Sequence, residues 1–126
     1  MNTYVEFNPN PDGKITDDCV IRSLSIALDL DWETVYIKLS VFGLMYHDIM
    51  NANYVWAKML EEYGFNRYMI PDNCPNCYTV KQFAKDNPSG IFVLGTGQHV
   101  VTVKDGCYYD TFDSGDYVPM YCWKKV

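Results

Sequence analysis

The chain has 126 residues, 48% of them hydrophobic and 21% charged, which is enough apolar material for one core without metal or disulfide staples and excludes a disordered polymer. A net charge of −6 disfavours a nucleic-acid partner, because phosphates are bound by clustered Lys and Arg. No run of about 18 apolar residues exists to span a membrane, and Met1-Asn2-Thr3-Tyr4-Val5-Glu6 lacks the basic and apolar regions of a secretion signal, so a cytoplasmic location is expected.

Asn8-Pro9-Asn10-Pro11-Asp12-Gly13 is a turn-rich opening loop. A helix is expected after it, capped by Thr16 or Asp17, with acidic residues in its first turn and Val20, Leu24, Ala27 and Leu28 at helical spacing. Cys19 then stands within about one turn of the cap. A second helix begins near Asp31, where Asp31-Trp32-Glu33-Thr34 carries cap chemistry and Trp32, Val35, Tyr36 and Leu39 form one stripe. Residues 43–52 read as a polar connection, with His47 on the surface. A third helix covers 53–63 and stops at Gly64. The stretch 66–70 suits a short strand, and Thr79 caps a short helix that reaches Lys85 before Asn87-Pro88-Ser89-Gly90 breaks it. The pattern then changes: 91–94, 100–104, 108–112 and 117–123 read as strands joined by Gly-containing turns. Helices first and an antiparallel sheet after them make an α+β layout in one domain over 1–126, with a helical half at about 14–86 and a sheet half at about 90–126.

Asp105-Gly106 is the clearest hairpin signal. With those two residues as the turn, Lys104 faces Cys107, His99 faces Phe112, and 99, 101, 110 and 112 share one face. His99 and Asp110 become diagonal neighbours, about 7–8 Å apart at the backbone and within side-chain reach. Asp113 falls on the other face unless a bulge intervenes, and a one-residue slip would exchange the two acids. Gly95-Thr96-Gly97-Gln98 lacks the following helix of a phosphate loop; it lets the chain turn sharply into the His99 strand.

These residues carry a chemistry. A thiol at a helix N-terminus meets unsatisfied backbone N–H groups and the positive end of the helix dipole, both of which favour thiolate. His99 beside it is suited to pair with the thiolate and later protonate a leaving group, Asp110 to fix the imidazole, and the Cys19 amide to donate to an oxyanion. Asp17 and Asp18 oppose this, because their charge raises the thiol pKa unless they point away as caps.

Asp17-Asp18-Cys19-Val20-Ile21-Arg22-Ser23-Leu24, with Gly97-Gln98-His99-Val100-Val101-Thr102-Val103 and the following Tyr109-Asp110, resembles the papain-like cysteine peptidase superfamily, and most of all its compact bacterial and phage members. The first stretch is also similar to the nucleophile helix of ovarian-tumour-type deubiquitinases, which share the broad fold. The resemblance implies a papain-like α+β fold, with N-terminal helices packed on a C-terminal antiparallel β-sheet. It assigns Cys19 as nucleophile, His99 as general base and acid, and Asp110 as the orienting residue. The implied activity is thiol-dependent hydrolysis of a peptide or isopeptide bond in a peptide or protein substrate, with no cofactor and no metal. Papain-like peptidases usually carry a Gln shortly before the cysteine for the oxyanion. Here no Gln precedes Cys19, and position 13 is Gly. Asn8, Asn10 or a backbone amide are the substitutes available, while Gln98 should point to the opposite face from His99 if it lies on the strand. The departure supports an alternative, a catalytically inactive papain-like protein of a phage or mobile element that binds a host protein through an acidic, tyrosine-rich surface.

The five cysteines are Cys19, Cys74, Cys77, Cys107 and Cys122, an odd count that argues against a disulfide framework. Cys74-Pro75-Asn76-Cys77 is half a zinc site, which Cys107, Cys122, His47 or His99 would have to complete. As a thioredoxin-type pair it stands too late, after three expected helices. A turn with small, half-buried cysteines is the simpler expectation. The scattered Asp12, Asp17, Asp18, Asp29 and Asp31 do not follow calcium-loop spacing. With 16% aromatic residues, Trp32, Tyr108, Tyr109 and Trp123 are candidate cleft walls.

Overall fold

The computed structural model describes residues 3–126; Met1 and Asn2, the start of the segment searched for a secretion signal, lie outside the described residues. The elements run β1 (Tyr4–Glu6), α1 (Cys19–Leu28), α2 (Trp32–Tyr46), α3 (Asn53–Glu62), β2 (Phe65–Met69), α4 (Val80–Asp86), β3 (Ile91–Gly95), β4 (Val100–Lys104), β5 (Cys107–Asp110) and β6 (Tyr121–Lys125). This is an α+β chain in which four helices accompany a six-stranded mixed sheet of order β1-β5-β4-β3-β6-β2. None of the helices among the described residues is long and apolar enough to cross a membrane.

Two expectations about the sheet need correction. It is not purely antiparallel, since β1 pairs parallel with β5, Glu6 opposite Asp110. Nor is it confined to the C-terminal part: β1 joins it from the start of the chain, and β2, the short strand expected at 66–70 within the helical half, joins it at the other edge. β1 is only Tyr4-Val5-Glu6, too short for alternation to be read, and it covers the edge that β5 would otherwise leave open.

Local chemistry sets most of the helix ends. Asp31 accepts the Thr34 N–H at 2.7 Å and Thr79 accepts the Gln82 N–H at 3.2 Å, so α2 and α4 start where their caps predict. α1 starts later than expected: its N-cap is Asp18, not Thr16 or Asp17, and its first turn holds no acid. α2 runs on to Tyr46 through the stretch expected to be a connection. Gly43 is buried in the helix where the returning backbone crosses, and a Cβ there would lie 2.9 Å from the Asp48 carbonyl oxygen. The last strand begins at Tyr121 and not at Tyr117, whose N–H is held in a turn by the Ser114 carbonyl at 3.1 Å.

Helices α1 to α3 cover one face of the sheet and α4 the other. Leu24, Leu39, Val55, Trp56 and Leu60 pack with Val93, Val100 and Trp123 on the first face. Val80, Phe83 and Ala84 pack with Phe92, Leu94, Val101, Val103 and Tyr108 on the second. Cover on both faces is why β3 and β4 are apolar at successive positions rather than alternating. Leu24 is fully buried on α1. Leu24→Ala should cost about 2–5 kcal/mol from lost transfer free energy and the cavity left behind, read as a shift in the denaturant midpoint. A loss under about 1 kcal/mol would mean that α1 is not anchored through this residue.

Polar bonds also tie α1 to β4. The Ser23 hydroxyl donates to the Val100 carbonyl at 2.9 Å, and the Thr102 hydroxyl donates to the Ser23 carbonyl at 2.7 Å. Both pairs are buried, so each is well protected from competing water. They fix the first half of α1, with Cys19 at its head, over the residues that immediately follow His99.

Cys74 and Cys77 are joined by a disulfide in an exposed loop, Cα atoms 4.1 Å apart. The expectation of unbonded turn cysteines is corrected, and neither sulfur is a thiolate free to bind zinc. Cys19, Cys107 and Cys122 are the free thiols.

Candidate active site

Asp105 and Gly106 both have positive φ, 50° and 81°, the requirement of the tight two-residue hairpin turn. The register is the one the turn dictates: Lys104 opposite Cys107, Val103 opposite Tyr108, Thr102 opposite Tyr109. Asp110 therefore closes β5 at the same end of the sheet where β4 opens. His99 lies one residue before β4, after a turn in which Gly97 takes a φ of 96°. The Thr96 N–H and hydroxyl both donate to the His99 carbonyl, at 2.9 and 3.1 Å, and hold the backbone there.

His99 Nε2 lies 2.6 Å from Asp110 Oδ2. The ring is packed against Phe112 and Tyr117, centroids 5.2 and 5.4 Å away, and its side chain is only 10% exposed. The imidazole also stands beside Cys19, which favours its protonated form, and both line one cleft. With Nε2 directed at the carboxylate, Nδ1 is the ring nitrogen left for the sulfur. Cys19 is the first residue of α1 and is half-buried.

The charges follow from these contacts. Burial pushes the Cys19 thiol up, but the hydrogen bonds from His99 and the Val100 N–H and the positive charges of His99 and Arg22 outweigh it, so the thiol titrates below its ordinary 9.0. Burial disfavours the imidazolium, yet hydrogen bonds to Asp110 and Cys19 raise His99 to about 9. Burial would raise Asp110, but bonds from His99, Ser114 and the Thr111 N–H keep it lower than an ordinary carboxyl. The contacts therefore favour thiolate on Cys19 and imidazolium on His99.

The Asp110 carboxylate is fully coordinated. Oδ1 accepts from Arg22 Nη2 at 3.1 Å and the Thr111 N–H at 2.8 Å, and Oδ2 accepts from His99 and the Ser114 hydroxyl at 2.7 Å. Asp113 is engaged elsewhere, accepting from the Tyr108 hydroxyl and from the Gly115 N–H at 3.0 Å. Asp18 does not bear on the thiol as a free charge, because its carboxylate takes Arg22 and the Trp32 indole N–H at 2.9 Å.

A cleft of about 570 Å³ opens over the sulfur, lined by Thr16, Asn51, Gln98, His99 and Phe112 among others. Gln98 thus shares the cleft with Cys19, against the expectation that it faces away, because it lies in the turn and not on the strand. Asn8 and Asn10 are not in the cleft: the Asn8 amide donates to the Lys14 carbonyl, and Asn10 Oδ1 accepts the Asp12 N–H at 2.9 Å, both within the opening loop. A second cavity of about 410 Å³ adjoins, sharing Thr16, Asp17 and Asn51 and walled by Trp32, Tyr36 and Met50. Of the four aromatic wall candidates, only Trp32 stands beside the cleft. Tyr108 and Trp123 are buried in the core, and Tyr109 packs on Phe7.

Sequence reasoning missed Arg22, Ser23 and Ser114 as parts of this constellation. The one signal available was an arginine set inside the buried stripe of α1, since a buried guanidinium requires partners. Among the described residues, no group of three or more His, Cys, Asp or Glu is placed to hold a metal ion. No family model matches the chain, and no curated protein or solved structure matches it.

Proposed function

We propose that this chain is a thiol hydrolase of papain-like type, which cleaves a peptide or isopeptide bond through Cys19, His99 and Asp110. The observation that carries the reading is His99 bound to Asp110 Oδ2 at 2.6 Å on one side and standing beside Cys19 on the other, with Cys19 and His99 both lining an open cleft. A helix that presents a thiol at its first residue, against a sheet that carries the histidine and then the acid on neighbouring strands, is the layout the papain-like resemblance implies.

The reaction follows from the groups. The Cys19 thiolate attacks the substrate carbonyl carbon, and the oxygen takes the negative charge. The Cys19 backbone N–H is one donor to that oxyanion, and the Gln98 and Asn51 amides, both lining the cleft, are the side chains available for a second. His99 gives its proton to the departing amine, leaving a thioester on Cys19. Water then loses a proton to His99 and attacks the thioester carbon, which releases a carboxylic acid and restores the thiolate–imidazolium pair. Asp110 keeps the ring oriented through both steps. The adjoining Trp32, Tyr36 and Met50 cavity favours a substrate with an apolar group next to the scissile bond.

An activated peptide ester tests the reading. Incubation at neutral pH should yield an acyl adduct on Cys19 by peptide mapping, and Cys19→Ser should lose turnover by at least about 10²-fold. Adduct spread over Cys107 and Cys122, with Cys19 unmodified, rejects it.

A second reading, an inactive papain-like protein that binds a host protein, draws on the outer face of α2, where Ile37, Val41, Leu44 and Met45 are all more than half exposed. It is favoured if Cys19 forms no acyl adduct although the protein is folded.

A further inference from the structure

Arg22 is the most deeply placed cation near the cleft, 6% exposed, one turn along α1 from Cys19. Its guanidinium straddles two carboxylates: Nη1 reaches Asp18 Oδ1 and the Thr16 carbonyl at 3.3 Å, and Nη2 reaches Asp110 Oδ1 at 3.1 Å. Its Nε is buried and has no hydrogen-bond partner among the described residues. Burying a guanidinium with an unsatisfied N–H is unfavourable, and a buried ion pair is a poor device for stability alone. Its position suggests another use. Asp18 immediately precedes the nucleophile and Asp110 stands directly behind His99, so the acid next to Cys19 and the acid that holds the imidazole end on the same cation.

We propose that Arg22 is a positioning residue for the nucleophile: its planar fork neutralises Asp18 beside Cys19 and fixes the Asp110 carboxylate against His99, so that thiolate forms at neutral pH. The proposal deepens the hydrolase reading and rests on it. The charged and titratable groups around the sulfur are Asp17, Arg22 and His99, which line the cleft with it, Asp18, which precedes Cys19 and is turned to Arg22, and Asp110 of β5 behind the imidazole. Among these, Arg22 is the only permanent cation, and its planar fork gives each carboxylate its own nitrogen, whereas an ammonium at position 22 would have to serve both from one.

The test is the rate of alkylation of Cys19 by iodoacetamide as a function of pH, followed by mass spectrometry in the full chain, with circular dichroism and thermal melts as the check on folding. Arg22→Gln should raise the midpoint of the Cys19 titration by about one pH unit or more, with a correspondingly lower rate at pH 7. Arg22→Lys should fall between it and the parent. Adding Asp18→Asn to Arg22→Gln should bring the midpoint back down, because it removes the anion left without a partner; a merely structural role for Arg22 gives no such rescue. Should Arg22→Gln fail to fold, Asp18→Asn alone carries the test: it leaves the cation in place and should lower the midpoint. A folded Arg22→Gln that titrates like the parent, a double variant no better than the single, or an Asp18→Asn midpoint that does not move overturns the proposal. If Cys19 of the parent already titrates as an ordinary thiol, the hydrolase reading falls and this one with it. A low parent midpoint that Arg22→Gln leaves in place removes only the role of Arg22.

Discussion

Replacing His99 by alanine is expected to reduce both the reactivity of Cys19 at neutral pH and the rate of hydrolysis by about 10²–10⁴-fold, the usual contribution of a positioned acid and base. Two losses combine. His99 supplies the hydrogen bond and the positive charge that draw the thiol below its ordinary 9.0, while burial of the sulfur pushes the other way. Without the imidazole, the Val100 N–H and the more distant Arg22 charge remain against burial, and the thiol should titrate near or above an unperturbed cysteine. The proton that the departing amine needs is lost as well. Alkylation kinetics and peptide-ester turnover, measured on the same preparation, separate the two: alkylation reads the thiolate alone, and turnover reads both. A folded His99→Ala protein whose Cys19 alkylates at the parent rate would mean that the imidazole and the sulfur are not coupled.

The second large effect concerns pH and Asp110. Hydrolysis needs thiolate and imidazolium together, so its rate should rise as Cys19 deprotonates and fall as His99 loses its proton near pH 9. The sign of the Asp110→Asn effect follows from the causes. Burial alone lowers the imidazole, and it is the bonds to Asp110 and Cys19 that raise it from 6.5 to about 9. An asparagine keeps an acceptor oxygen but removes the negative charge. His99 should therefore shift down by about one to three units, and the alkaline limb of the rate profile should move with it. Proton NMR of the imidazole and kcat/KM against pH read the same shift independently. An alkaline limb that stays near pH 9 in the asparagine variant would exclude Asp110 as the group that holds the imidazolium.

How much of this was legible in the sequence depended on how local each cause is. Asp105-Gly106 is a two-residue signal with one favoured turn geometry, and a turn fixes a register. From that register alone, His99 and Asp110 come out as neighbours and Asp113 does not. The caps Asp31 and Thr79 are equally local, and both act where they were expected. Other features depend on contacts that no window of sequence contains. β1 is three residues long and is a strand only because β5 lies beside it. Gly43 lies inside α2, although glycine by itself speaks against a helix interior, and the chain returning at Asp48 and Met50 packs against it where a Cβ would collide. Asp18 is expected to trouble the thiol; its carboxylate turns instead to Arg22, at i+4 spacing, and to Trp32, a partner set by packing. Gln98 was placed by strand alternation, a rule that does not apply one residue inside a turn.

The most direct measurement is the alkylation rate of each free thiol in the folded, unmodified chain across pH, with Cys107 and Cys122 as internal references. Cys122 is buried and its thiol is held above the usual range, so it should react slowly throughout. At pH 7 Cys19 should outpace both by at least about tenfold, with a midpoint below 9.0 that His99→Ala abolishes. Three slow and similar rates, or a fast Cys19 indifferent to the loss of His99, would contradict the account.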